Sequence, residues 1–88
     1  MMKPGEDIVN QGMADLALKL ETIPALLVLI GAPRLRRLGL NVPETNIGSP
    51  EHRLYEVLSA DNPDAAHSRY NALIRRLVSY ERASECGI

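Results

Sequence analysis

The sequence predicts an all-α protein, a small helical bundle of two long and two short helices. The first observation is an apolar seam near the start of the chain, where apolar residues recur at alternating steps of four and three: Val9, Met13, Leu16, Leu20, Ile23, Leu27 and Ile30. The second is a seam with the same spacing near the end: Ala66, Tyr70, Leu73, Leu77 and Tyr80. Such spacing is typical of helices that lie along one another.

The length and composition predict one domain, residues 1–88, with a thin core. The chain has no Phe and no Trp, and its three Tyr are the only aromatic rings. Leu, Ile, Val and Ala must therefore supply the burial, and small aliphatic side chains leave little surplus over chain entropy. We expect oligomerisation or a bound partner to complete such a fold.

The first long helix is predicted over residues 6–30, where acidic Glu6 and Asp7 complement the positive end of the helix dipole. Pro24 interrupts this helix, because an interior proline removes a backbone hydrogen bond and clashes with the preceding turn. The helix is therefore either kinked near Pro24, or broken there with Thr22 or Ile23 as the cap of a second helix. The seam stays in register across the proline, which favours a kinked or closely abutted pair.

The run that follows Pro24 is apolar on every side, which predicts burial all round. A buried strand is the competing interpretation of residues 26–30, but no other segment looks like its pairing strand. We expect one side of this run to pack on the C-terminal helix and the other on a second copy of the chain, giving a four-helix core across a dimer axis. The expected homodimer interface consists of Leu26, Leu27, Leu29 and Ile30.

The rest of the chain divides at its glycines and prolines. A short helix is predicted over residues 33–39, with Gly39 as its C-cap, followed by a loop over residues 41–49. A second short helix is predicted over residues 50–60, because Ser49-Pro50-Glu51 is a favourable helix start. The last long helix is predicted over residues 63–85, packed antiparallel on the first.

No pattern in the sequence carries recognisable enzyme chemistry, and we expect no catalytic residue, metal or cofactor. His52 and His67 are fifteen residues apart, and two histidines do not define a metal site. The sequence has no nucleophile elbow and no closely spaced glycines for a phosphate. Cys86 is the only cysteine, so it cannot form an internal disulfide. An enzyme is the third choice of function.

The sequence also predicts a cytoplasmic protein without a membrane segment. Residues 1–11 lack a basic region followed by an apolar stretch. The longest apolar run, residues 23–32, is about half of the ~20 residues that span a bilayer.

The charge pattern favours docking to a specific protein. The net charge is −1, but basic and acidic residues alternate in blocks along the chain. Arg34, Arg36 and Arg37 form the best local candidate for an acidic partner surface, since guanidinium groups match carboxylates; a solvated polar face is the competing interpretation. We predict a non-enzymatic adaptor, inhibitor or regulatory subunit, with Arg75 and Arg76 as further partner-binding residues.

The alternative is a nucleic-acid-binding protein, either a DNA regulator or a ribonucleoprotein subunit. Residues 50–60 and 63–85 resemble the two helices of a helix-turn-helix, and the same two arginine groups would contact phosphates. Against it stand a turn without glycine, an acid at Asp64 and a negative net charge.

Overall fold

The computed structural model describes residues 3–86, so residues 1, 2, 87 and 88 of the predicted domain lie outside the described part. It contains five α-helices: α1 (Glu6–Ala17), α2 (Ile23–Ile30), α3 (Ala32–Arg37), α4 (Pro50–Asp61) and α5 (Ala66–Glu85). None of the described residues lies in a β-strand. The all-α prediction is confirmed, and the competing strand interpretation of residues 26–30 is wrong because these residues belong to α2.

The first predicted helix is broken, and the break lies earlier than expected. Helix α1 ends at Ala17, and Lys19 follows in the left-handed conformation with φ 60°. Leu20 N–H then donates to the Asp15 carbonyl at 2.8 Å, and Lys19 N–H donates to the Leu16 carbonyl at 3.0 Å. These two bonds form a Schellman motif, which satisfies carbonyls that a helix end leaves without partners.

Pro24 does not cause the break, because it lies in the first turn of α2. A proline there costs no hydrogen bond, since that N–H has no partner within the helix. Thr22 is the N-cap, as one of the two predicted alternatives had it, and its Oγ1 accepts the Ala25 N–H at 3.3 Å. Residues 18–22 are therefore a defined connection between two helices.

Helix α2 is the centre of the molecule. It packs extensively on α1 and α4 and also contacts α3 and α5, whereas the contact of α1 with α5 is minor. The predicted first long helix, residues 6–30, therefore contacts the last helix mainly through α2, and this contact is smaller than the contacts of α2 with α1 and α4. Ala25, Leu26, Leu27 and Val28 are all 0% exposed, because neighbouring helices cover α2 on several sides.

Gly12 lets α1 and α2 come close together. A β-carbon at this position would lie against the backbone carbonyl oxygen of Pro24 and 2.5 Å from Val28 Cγ2. Carbon atoms in contact are ordinarily about 3.5–4.0 Å apart. The absence of a side chain at Gly12 is therefore a requirement of this helix contact.

The remaining helices lie near their predicted positions. Gly39 follows α3 with φ 98°, and Leu40 N–H donates to the Leu35 carbonyl at 3.0 Å, so Gly39 ends the helix by the same motif. Helix α4 begins at Pro50, as predicted. Helix α5 begins at Ala66 rather than at residue 63, because Asn62 Oδ1 accepts the N–H groups of Asp64 and Ala65 at 3.2 and 3.3 Å and holds a turn there.

No helix in residues 3–86 is both long enough and apolar enough to cross a membrane.

Candidate binding surfaces

Arg34, the first predicted binding residue, is engaged within the chain. Its Nε donates to Glu85 Oε1 at 2.6 Å, and its Nη1 donates to Glu81 Oε1 at 3.3 Å. Arg34 thereby ties α3 to the end of α5. The fork that was expected to meet a partner is largely used for this internal contact.

The two carboxylates that meet Arg34 have opposite pKa shifts. Glu81 is only 4% exposed, and burial raises the pKa of its carboxyl even though the nearby Arg34 charge lowers it. The hydrogen bond from Arg34 lowers the pKa of Glu85, which remains exposed. The cluster thus contains one carboxylate that is costly to ionise and one that is readily ionised.

Arg36 and Arg76 are also engaged within the chain. Arg36 Nε and Nη2 donate to the Val42 carbonyl at 3.3 and 3.1 Å and so fix the start of the loop after α3. Arg76 Nη2 donates to both carboxylate oxygens of Asp7, at 2.9 and 3.0 Å, which joins α5 to α1 and lowers the pKa of Asp7. Both side chains act as structural ties.

Arg37 and Arg75 remain available. Both are exposed, and neither has an ion pair or a side-chain hydrogen bond to any residue from 3 to 86. Arg82 is also exposed and has no ion pair or side-chain hydrogen bond to residues 3–86, although it was not predicted as a binding residue. The sequence could have indicated Arg82 through its seven-residue spacing from Arg75, which places both residues on one side of a helix.

These arginines belong to a basic face on α5. We use that name for its solvent-exposed residues before Glu85: His67, Ser68, Asn71, Ala72, Arg75, Arg76, Ser79 and Arg82. None of them is acidic, since Glu81 is buried toward α3 and Glu85 contacts Arg34 at the helix end. Arg75 and Arg82 lie about 10.5 Å apart along the helix axis at 1.5 Å per residue.

The expected dimer interface requires a correction. Leu26 and Leu27 are 0% exposed within a single chain, so they belong to its own core and offer no surface to a second copy. Leu29 and Ile30 are half-buried. The large apolar side chains that the fold leaves most exposed are instead Leu18, at 70%, and Leu20, at 47%.

A groove of 540 Å³ lies beside those leucines, between the α1–α2 connection and the loop before α4. Leu16, Leu20, Pro43 and Ile47 form its apolar part. Its charged residues are Lys19, Glu21 and Glu44, and Glu21 is paired with Arg53 of α4. We call this site the turn groove. It was not predicted from the sequence, although Leu16 and Leu20 belong to the first apolar seam.

The two histidines are engaged locally. His52 Nε2 lies 3.1 Å from Glu56 Oε1, one turn further along α4. His67 Nε2 lies 3.2 Å from Asn71 Nδ2, one turn further along α5. Within residues 3–86, no three histidine, cysteine or acidic side chains are grouped so that they could hold a metal ion.

Comparison with known proteins gives no match to a family model, to a curated protein or to a solved structure.

Proposed function

We propose that this chain is a non-enzymatic protein-binding module, an adaptor, inhibitor or regulatory subunit, that docks an acidic partner through the basic face of α5. The observation that carries the proposal is the pair Arg75 and Arg82, two exposed cations on a face that bears no acidic residue. Arginine at such a surface suits carboxylates, because its planar fork binds both oxygens.

The ion pairs that other arginines form within the chain reduce the number of charges available to a partner. Asp7 compensates Arg76, and Glu81 and Glu85 compensate Arg34. These charges contribute little to attracting a partner, since each is already close to an opposite charge. Arg75 and Arg82 replace the Arg34–Arg37 cluster as the centre of the proposed site.

The same basic face also supports the second candidate, nucleic-acid binding. Helices α4 and α5 pack on each other after a short turn, as a helix-turn-helix does, and α5 presents Ser68, Asn71 and Arg75 to solvent. Two arginines without internal partners would neutralise few phosphates, and non-specific affinity for nucleic acid grows with the number of phosphates neutralised. A protein partner is therefore the preferred proposal.

Affinity capture from the native host, with mass spectrometry and nucleic-acid extraction on one eluate, tests both candidates. The variant is Arg75→Ser/Arg82→Ser, and the control is Arg37→Ser, which removes from α3 an exposed charge that also lacks an ion pair within residues 3–86. We expect a protein to be retained by the wild type and the control and lost from the α5 variant. Binding should weaken as salt is raised, because exposed charges are screened.

Other results would decide against the proposal. Capture that is equal in the wild type and both variants would show that the basic face is not the site. Recovery of nucleic acid that depends on Arg75 and Arg82 and falls steeply with salt would support the second candidate instead.

A further inference from the structure

We propose that the turn groove is the interface between two copies of this chain, related by a two-fold axis. This surface lies at the α1–α2 connection and is separate from the basic face of α5. The proposal keeps the homodimer predicted from the sequence. It places the interface at the turn groove and not at Leu26 and Leu27, which are buried within a single chain.

The apolar part of the groove fits a second copy. Leu18 is 70% exposed on the α1–α2 connection and does not line the groove of its own chain, whereas Leu20, at 47% exposure, does. In a two-fold contact each chain offers the same patch. Leu18 of each chain can then enter the apolar part of the partner's groove, between Pro43 and Leu16.

The charges of the groove favour the same occupant. Lys19 and Glu44 both line it, and neither forms an ion pair with any residue from 3 to 86. A patch that carries one free cation and one free anion is complementary to a rotated copy of itself. A two-fold axis would therefore pair Lys19 of each chain with Glu44 of the other, so that the contact is made twice.

Both walls of the groove are held in place before any contact forms. On one wall, the Schellman motif at Lys19 and the hydrogen bond between Thr22 and Asp15 fix the connection that carries Leu18. On the other wall, Arg36 holds the Val42 carbonyl and so anchors the loop that carries Glu44. Binding by preorganised surfaces loses less conformational entropy.

Sedimentation equilibrium of the full chain over a range of micromolar concentrations tests the proposal. We expect the wild type to dimerise and Leu18→Asp to weaken dimerisation on the order of tenfold or more, as loss of a central apolar contact does. The matched control is Ala60→Asp, which places the same charge at an exposed position near the end of α4. Circular dichroism checks that each variant remains helical.

A charge exchange sharpens the test. Lys19→Glu and Glu44→Lys should each weaken the dimer, and the double variant should recover the wild-type dissociation constant. A wild type that stays monomeric throughout the range would overturn the proposal, and so would a dimer that Leu18→Asp leaves intact. Failure here would leave the basic face of α5 unaffected, because capture with Arg75→Ser/Arg82→Ser tests that surface separately.

Discussion

Thr22 Oγ1 donates a 2.5 Å hydrogen bond to Asp15 Oδ2 and also accepts the Ala25 N–H at 3.3 Å. One hydroxyl thus caps α2 and holds it against the end of α1. Asp15 is 7% exposed, and Gln11 Nε2 donates to its other oxygen at 2.9 Å. The buried carboxylate therefore has a donor at each oxygen, which a buried charge requires.

Replacement of this hydroxyl should destabilise the fold. We expect Thr22→Val to lower the free energy of unfolding by about 2 kcal/mol, because it removes a helix cap and leaves one oxygen of a buried carboxylate without its donor. Urea denaturation measures the change. Thr22→Ser keeps the hydroxyl and should restore most of the stability; equal losses in the two variants would argue against a role for the hydrogen bond.

Gly12→Ala should also destabilise the protein, by about 1–3 kcal/mol, because the added methyl group meets the Pro24 carbonyl and the Val28 side chain. Helix propensity alone predicts the opposite, a gain of about 1 kcal/mol from glycine to alanine. The sign of the change in urea denaturation therefore distinguishes close helix packing from local preference. A stabilised Gly12→Ala variant would show that α1 and α2 lie further apart.

Lys19→Gly should stabilise the fold by about 0.5–1 kcal/mol. Lys19 has φ 60°, and a residue with a β-carbon pays about 1–2 kcal/mol in the left-handed region, partly offset by the greater unfolded-state freedom of glycine. Thermal denaturation measures the gain, at protein concentrations low enough for the chain to be monomeric, since Lys19 also lies in the proposed dimer interface. Lys19→Ala is the control and should bring no comparable gain, since alanine keeps the β-carbon; equal gains would mean that the lost charge, and not the backbone, is responsible.

Glu81 should make stability depend on pH. Burial raises its pKa above the ordinary 4.5, so its favourable contribution is fully present below the unfolded-state pKa and is lost as pH rises through the folded-state pKa. Glu81→Gln removes this titration. We therefore expect the stability of the variant, relative to the wild type, to rise in urea denaturation as pH increases from the ordinary pKa of 4.5 to above the raised folded-state pKa.

Glu85→Gln is the matched control on the same arginine, with the opposite sign. The Glu85 pKa is lowered by the hydrogen bond from Arg34, so its contribution is present above the unfolded-state pKa and is lost as pH falls through the folded-state pKa. The stability of this variant relative to the wild type should therefore fall as pH rises from the folded-state pKa of Glu85 to its ordinary value of 4.5, and should stay level above that pH. The same slope in both variants would contradict the assignment of Glu81 as the buried member.

Much of the local structure followed from the sequence. Helix α4 begins at Pro50 and Gly39 follows α3 in the left-handed conformation, as the preferences of a few neighbouring residues predicted. The Ser49 side chain, however, makes no capping hydrogen bond. The break after Ala17 was not predicted, because Lys19 occupies a position where glycine is usual. The apolar spacing of the seam also continues without interruption across residues 18–22, so the spacing did not indicate a break there.

The candidate site was less predictable. Arg34 and Glu81 are 47 residues apart in sequence, and nothing local indicates that they meet. The same is true of Arg76 and Asp7, 69 residues apart. Of the five arginines predicted to bind a partner, Arg34, Arg36 and Arg76 make hydrogen bonds within the chain. Arg37 and Arg75 make none to residues 3–86 and stay predicted binding residues.

The sequence by itself determined that the chain is helical and where most helices begin and end, because periodicity and capping act between residues within a few positions of one another. Only the tertiary structure decided which helix is central. Burial depends on how neighbouring helices cover a side chain, so Leu26 and Leu27 became core whereas Leu18 and Leu20 remained at the surface. Tertiary packing likewise decided which arginines have internal carboxylate partners and which remain available for binding.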